Sequence, residues 1–250
     1  MLLLGAAYGI LEEGLMVKSF FDPNWMDLGI LGSFGRWMNV NWVWAEMLII
    51  YHAVFSITIP VVLVELVYPE RKNERWVSNR LFKALISVLI AVTAFGFYFL
   101  TAYRPPLPQY AMAIVAMSLF TYVAYKLPAR KTNDCIKRMR KARNLFIIFC
   151  LGSFAFFLLF YSGPYVINSP PVIMLLGAVL ILGATKYLVR FDWTFPQTAL
   201  NRLAVVGGSL SFMILLAFLM EFKGIVGMSV VSIAAIVALL LLKRRMKAHC

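Results

Sequence analysis

Long apolar runs alternate with short polar connections along the whole chain. Runs of the roughly 20 apolar residues needed to cross a hydrocarbon core of about 30 Å lie at about 42 to 68, 81 to 103, 109 to 127, 145 to 163, 170 to 189, 202 to 220 and 225 to 242. They predict seven transmembrane helices. Residues 1 to 21 open with the uncharged string MLLLGAAYGIL and then meet Glu12 and Glu13, which predicts an eighth, polar-interrupted helix. Pro105, Pro106 and Pro108 mark one tight connection, and Gly163, Pro164, Pro170 and Pro171 another. Between Asp22 and Asn41 the pattern is mixed, with Gly29, Gly32 and Gly35 and with Trp25 and Trp37. That composition predicts a re-entrant or interfacial segment on the outer side, where tryptophan rings favour the membrane boundary. The expected fold is an all-α polytopic transmembrane bundle forming one integral membrane domain over residues 1–250.

Composition narrows the class. With 62% hydrophobic and 14% charged residues, the chain lacks the polar surface of a soluble enzyme and the polarity of a disordered one. Cys135, Cys150 and Cys250 fall in a basic loop, within a span and at the tail, so no disulfide scaffold is expected. Met1 is followed at once by leucines with no basic stretch, unlike a cleaved secretory signal. The abrupt start is also compatible with a longer protein that has further helices upstream.

The formal net charge of +13 comes from loops of one side. Arg71, Lys72, Arg75, Arg80 and Lys83 form one basic group, and eight residues between Lys126 and Arg143 form the next. Lys186, Arg190 and Arg202 follow, and then Lys243, Arg244, Arg245 and Lys247, so that 20 of 24 basic residues sit in alternate connections. The asymmetry predicts that these loops, and both termini, are cytoplasmic in a prokaryotic plasma membrane. The run from Cys135 to Asn144 is read as an anchor for anionic lipid, and no nucleic-acid partner is expected.

No CxxC pair, phosphate-binding GxxxxGK[ST], HExxH or GxSxG occurs in the sequence, which removes the usual nucleotide, zincin and serine-hydrolase readings. Function is therefore sought in ionisable groups at membrane depth, which cost roughly 2.5 to 3.5 kcal/mol each on insertion scales. At 1.5 Å per residue, Glu12 and Glu13 lie about 16 to 18 Å into the first helix and His52 about 15 Å into the second. Both depths are close to the midplane, so a shared Glu12, Glu13 and His52 site is expected. On an α-helix adjacent glutamates point about 100° apart, so one need face the site while the other pairs with Lys18. Ser56 shares a face with His52, whereas Glu46 lies about 120° away. Ser56, Lys18 and Glu46 are the expected supporting residues. A kink is expected at Pro60, and Gly5 and Gly9 form a GxxxG that permits close helix packing.

The string Gly9-Ile10-Leu11-Glu12-Glu13, with Lys18 five residues after the pair and His52 on a later helix, resembles the CAAX-protease and bacteriocin-processing superfamily of intramembrane proteases and its PrsW-type relatives. The likeness covers residues 5 to 56. It implies a membrane-embedded peptide substrate and a glutamate, Glu12 or Glu13, acting as general base on water. It also implies that His52 and Glu13 hold a divalent metal such as zinc, or that His52 steadies the oxyanion. The pattern departs from the family in its EExxxxK spacing, in Leu48 where phenylalanine is common, and in lacking a second histidine within a span, so a third ligand would have to come from Glu46, Asn39 or Asn41. Two other classes stay open at this point: a proton-coupled transporter or channel component, which uses the same midplane groups as a relay, and a non-catalytic membrane scaffold.

Overall fold

A computed structural model describes residues 1–71, 74–127, 141–189 and 198–248. Most of the basic connection expected at 126 to 144, with Cys135, lies outside the described residues, as do Lys72, Arg190, His249 and Cys250.

Helices account for nearly all of the regular structure. The first, α1 (Leu2–Gly9), runs on as a π-helical stretch, Ile10–Met16. The second span is α2 (Trp42–Tyr51), a π-helical stretch His52–Thr58, and α3 (Ile59–Val67). Next come α4 (Asn79–Phe95), ending in a π turn Gly96–Leu100, and α5 (Leu107–Lys126). They are followed by α6 (Ala142–Tyr161), α7 (Pro170–Val189), α8 (Ala199–Phe222) and α9 (Met228–Ala248).

Among the described residues six helices are long and apolar enough to cross a membrane: Trp42–Val67, Asn79–Leu100, Leu107–Lys126, Ala142–Tyr161, Pro170–Val189 and Ala199–Phe222. The chain is an all-α, multi-pass integral membrane protein. The seventh run differs from expectation. Ile225, Val226 and Gly227 belong to the turn before α9, and Lys243 ends its uncharged part at Leu242. The fifteen residues left make about 22 Å of helix, and α9 continues through its basic residues to Ala248.

Two compact units are distinguished, and α3 and α7 each contribute to both. In the first (Met1–Pro60, Glu70–Ala129 and Ser162–Gly177), α1 packs on α2, on the π stretch His52–Thr58 and on α5. Close approach explains the GxxxG. A Cβ on Gly5 would come within 2.6 Å of the Ala53 Cα, and one on Gly9 within 3.0 Å of the His52 Cβ. Residues 22–41 do not span: they form a 3₁₀ turn, Gly29–Gly32, and a hairpin of β1 (Arg36–Trp37) and β2 (Val40–Asn41). Met38 and Asn39 both have positive φ, 50° and 59°, as a two-residue hairpin of this twist requires. Asn41 then caps α2, its side-chain oxygen accepting from Trp44 N at 3.0 Å while its amide donates to the Leu31 carbonyl. Along α4 and α5 most side chains are exposed and apolar, a surface suited to lipid.

In the second unit (Val61–Pro69, Arg130–Tyr161 and Ala178–Cys250) α8 packs against α6 and α9. Ser153 Oγ donates to the Ser209 carbonyl at 2.7 Å, and the Phe157 and Phe212 rings stack at 4.3 Å. Leu66, Leu203 and Met246 form a buried apolar cluster, beside which Arg202 pairs with Glu65.

Candidate functional site

The site is built where two π-helical stretches meet. A π-helix bonds i to i+5 rather than i+4, so each turn holds an extra residue and neighbours are separated by a smaller angle. In Ile10–Met16 this winding brings both Glu12 and Glu13 to the same side, where α-helical geometry leads one to expect a single facing carboxylate. His52 begins the second stretch, which Pro60 follows almost at once. Proline offers no N–H to the preceding turn, and within that turn Thr58 Oγ1 donates to the Ala53 carbonyl at 2.7 Å. The expected irregularity at Pro60 thus takes the form of a widened turn on its N-terminal side.

Glu12, Glu13 and His52 converge. His52 Nε2 lies 3.2 Å from Glu13 Oε1, and its Nδ1 lies 3.3 Å from Glu12 Oε2 and 3.0 Å from Ser56 Oγ. The imidazole is held between two carboxylates, one at each nitrogen. Its side chain is only 8% exposed, against 15% for Glu13 and 29% for Glu12, so Glu12 is the most exposed of the three. Tyr8 and Tyr51 set their rings edge-on to the imidazole, at 5.8 and 5.3 Å, and the Tyr8 hydroxyl interacts with Glu12.

Two residues that the sequence pattern gave no reason to choose complete the network. Ser19 Oγ lies 2.5 Å from Glu13 Oε2, and Trp44 Nε1 donates to Ser19 Oγ at 3.1 Å.

Lys18 does something other than pair with a glutamate. It is fully buried, and its Nζ donates to the carbonyls of Phe97 at 2.6 Å and Thr101 at 3.1 Å, with the Phe97 ring 4.6 Å away. These carbonyls close the helix that ends at Leu100, and a cation there satisfies orphan acceptors and complements the helix dipole. Lys18 also adopts φ 65°, and this left-handed turn ends the first helix and sets Ser19 over Glu13. Glu46 likewise stays out of the site: its buried Oε2 has no hydrogen-bond partner among the described residues. Asn41 is committed to capping α2, and Asn39 sits in the hairpin turn.

The donor set is a poor fit to a metal. The two carboxylates engage opposite edges of one ring, so Glu12, Glu13 and His52 do not converge on one point. Among the described residues no group of three or more His, Cys, Asp or Glu side chains is arranged to hold a metal ion. The arrangement suits protons instead. Each edge of the ring is a hydrogen bond only when a proton lies on it, and with both edges filled the three groups carry a net charge of −1. With no proton on Nδ1, Ser56 can donate its hydroxyl to that nitrogen.

No protein-family model, curated protein or solved structure matches the chain. What the fold and the site define is a class: a multi-pass membrane helix protein with a buried carboxylate–imidazole–carboxylate centre.

Proposed function

We propose that this centre performs metal-independent acid–base catalysis within the membrane, hydrolysing a membrane-embedded peptide in the manner that the CAAX-protease resemblance implies. The observation that carries the reading is the engagement of both imidazole nitrogens by adjacent glutamates. Glu12, the most exposed, takes a proton from water, and the hydroxide adds to the scissile carbonyl. His52 shares that proton across its Nδ1 edge, and the proton then passes to the departing amide nitrogen, which leaves the site as it began. Glu13 holds the ring in place throughout.

A through-membrane proton path is less well supported, because the chain of groups ends at Trp44, whose indole N–H donates but cannot accept. The basic loops favour a plasma-membrane protein with both termini in the cytoplasm and anionic lipid at that face.

The test is cleavage of quenched fluorescent transmembrane peptides by the full chain in liposomes. Wild type should cleave, Glu12→Gln and His52→Ala should not, and chelators should have no effect. A Glu12-dependent proton leak without cleavage would replace this reading with transport, and silence in both assays from a folded wild type would leave a scaffold. For orientation, in a chain whose native cysteines are serine, a cysteine at Met38 should react with an impermeant reagent in sealed cells and one at Ser78 should not.

A further inference from the structure

We infer that Ser19 and Trp44 are positioning residues that hold Glu13 as the permanent carboxylate of the site and so decide which nitrogen of His52 exchanges protons. The inference rests on the acid–base reading of the centre, though not on hydrolysis.

The direction of the chain follows from donor chemistry. An indole N–H can only donate, so at Ser19 the hydroxyl oxygen accepts from Trp44 Nε1. The single Ser19 hydrogen is then directed at Glu13 Oε2, the nearest acceptor at 2.5 Å. The Ser19 hydrogen on Oε2 and a ring N–H on Oε1 are two charge-assisted contacts that a carboxylate at this position can accept together. The other oxygen, Oε1, faces His52 Nε2 at 3.2 Å, and an ionised acceptor there calls for a proton on Nε2. In the neutral ring, Nδ1 is therefore the basic nitrogen. It faces Glu12 and Ser56, on the more exposed side of the site.

Glu12 has no equivalent lock. Its neighbours are the Tyr8 hydroxyl and His52 Nδ1, each able to donate or accept. Two glutamates adjacent in sequence thus acquire different roles, and the difference originates in the turn at Lys18 that delivers Ser19. Trp44 is fixed by the Asn41 cap on the first turn of α2, so the lock is anchored in both helices.

The experiment is ¹⁵N NMR of histidine-labelled full chain in lipid nanodiscs, in a His249→Ala background that leaves His52 as the one histidine. Spectra are read above the pH at which the ring has lost its second proton. Wild type should hold the remaining proton on Nε2. Ser19→Ala should shift the tautomer ratio toward Nδ1 by about tenfold or more, the scale of one charge-assisted hydrogen bond. Ser19→Thr should restore it, and Trp44→Phe should shift it part of the way. Ser153→Ala, which removes a comparable buried hydroxyl in the other unit, should lower stability without moving the His52 signals. A wild-type ring protonated on Nδ1, or a ratio unchanged by Ser19→Ala in a folded protein, would overturn the inference. Absence of peptide cleavage with the tautomer shift intact would remove hydrolysis alone.

Discussion

The two units are built from the same apolar helices, yet they bury different kinds of polar group. In the first, Lys18, Ser19, Asn41 and His52 are buried, and all three π-helical stretches among the described residues occur there. In the second, the described helices run without such interruption, and the buried polar side chains, Ser153, Thr198, Asn201, Ser209 and Ser232, are all uncharged; Gly207 and Gly208 on α8 lie beside Phe146 on α6, and Phe157 stacks on Phe212. Its ion pair, Glu65 with Arg202, lies near the end of a span. An unpaired polar group is costly in a bilayer, and charged or titratable side chains must be brought to one another, which the distorted helices of the first unit do. A serine hydroxyl can instead bond a carbonyl of a neighbouring helix, as Ser153 and Ser232 do, so the second unit can stay regular. Helix irregularity and chemistry are thus concentrated in one half of the chain.

The sharpest way to break this contrast is to remove the imidazole. His52→Ala leaves two carboxylates facing each other without a proton carrier, and it should cost about 3 kcal/mol, the scale for stranding a buried charge. Denaturation in mild detergent measures it. Combined with Glu13→Gln, the losses should fall short of the sum by about 1 kcal/mol or more, since the groups touch. Strict additivity would mean that the site is two independent polar contacts.

Lys18→Met should come next, at about 2 kcal/mol, because the Phe97 and Thr101 carbonyls lose a charged donor. Chelation and added salt should not rescue it. A loss below a few tenths would show that water replaces the ammonium.

Gly5→Ala and Gly208→Ala sharpen the comparison from both sides. Each places a methyl against a facing helix backbone, an overpacking that costs about 1 to 3 kcal/mol. Only Gly5→Ala should also move the His52 NMR signals, because Gly5 abuts Ala53, the residue after the imidazole. If Gly208→Ala moved them equally, the units would not be energetically separate.

Arg202→Gln should cost about 1 kcal/mol, since the pair is partly exposed, and should leave peptide cleavage unchanged. The smallest effect is expected on the lipid-facing surface: Val115→Ala, two-thirds exposed, should stay within about 0.5 kcal/mol.

Much of the architecture was legible in the chain itself. Apolar runs and proline- or glycine-marked connections locate the six long spans to within three residues at either end, because a bilayer requires about 20 apolar residues and helical hydrogen bonding from any crossing segment. The last run was drawn too long at its start. Its apolar count borrowed three residues from a turn, and composition does not show where a helix begins.

The depth of Glu12, Glu13 and His52 could likewise be counted from the sequence, since rise per residue is nearly constant. Their pairing geometry could not. Assuming α-helical winding, one glutamate faces the site and Lys18 serves the other; the π winding turns both inward, and Lys18 goes to the end of a helix about eighty residues away in sequence. Ser19 and Trp44 carry no signal in a linear pattern, because a hydrogen bond between residues 25 apart depends on the angle at which two helices meet. Sequence by itself determined what must lie in the membrane and at what level, which are matters of length and hydrophobicity. Tertiary structure decided which polar groups touch, because that depends on helix winding, on a left-handed turn at Lys18, and on glycines that let two backbones come close.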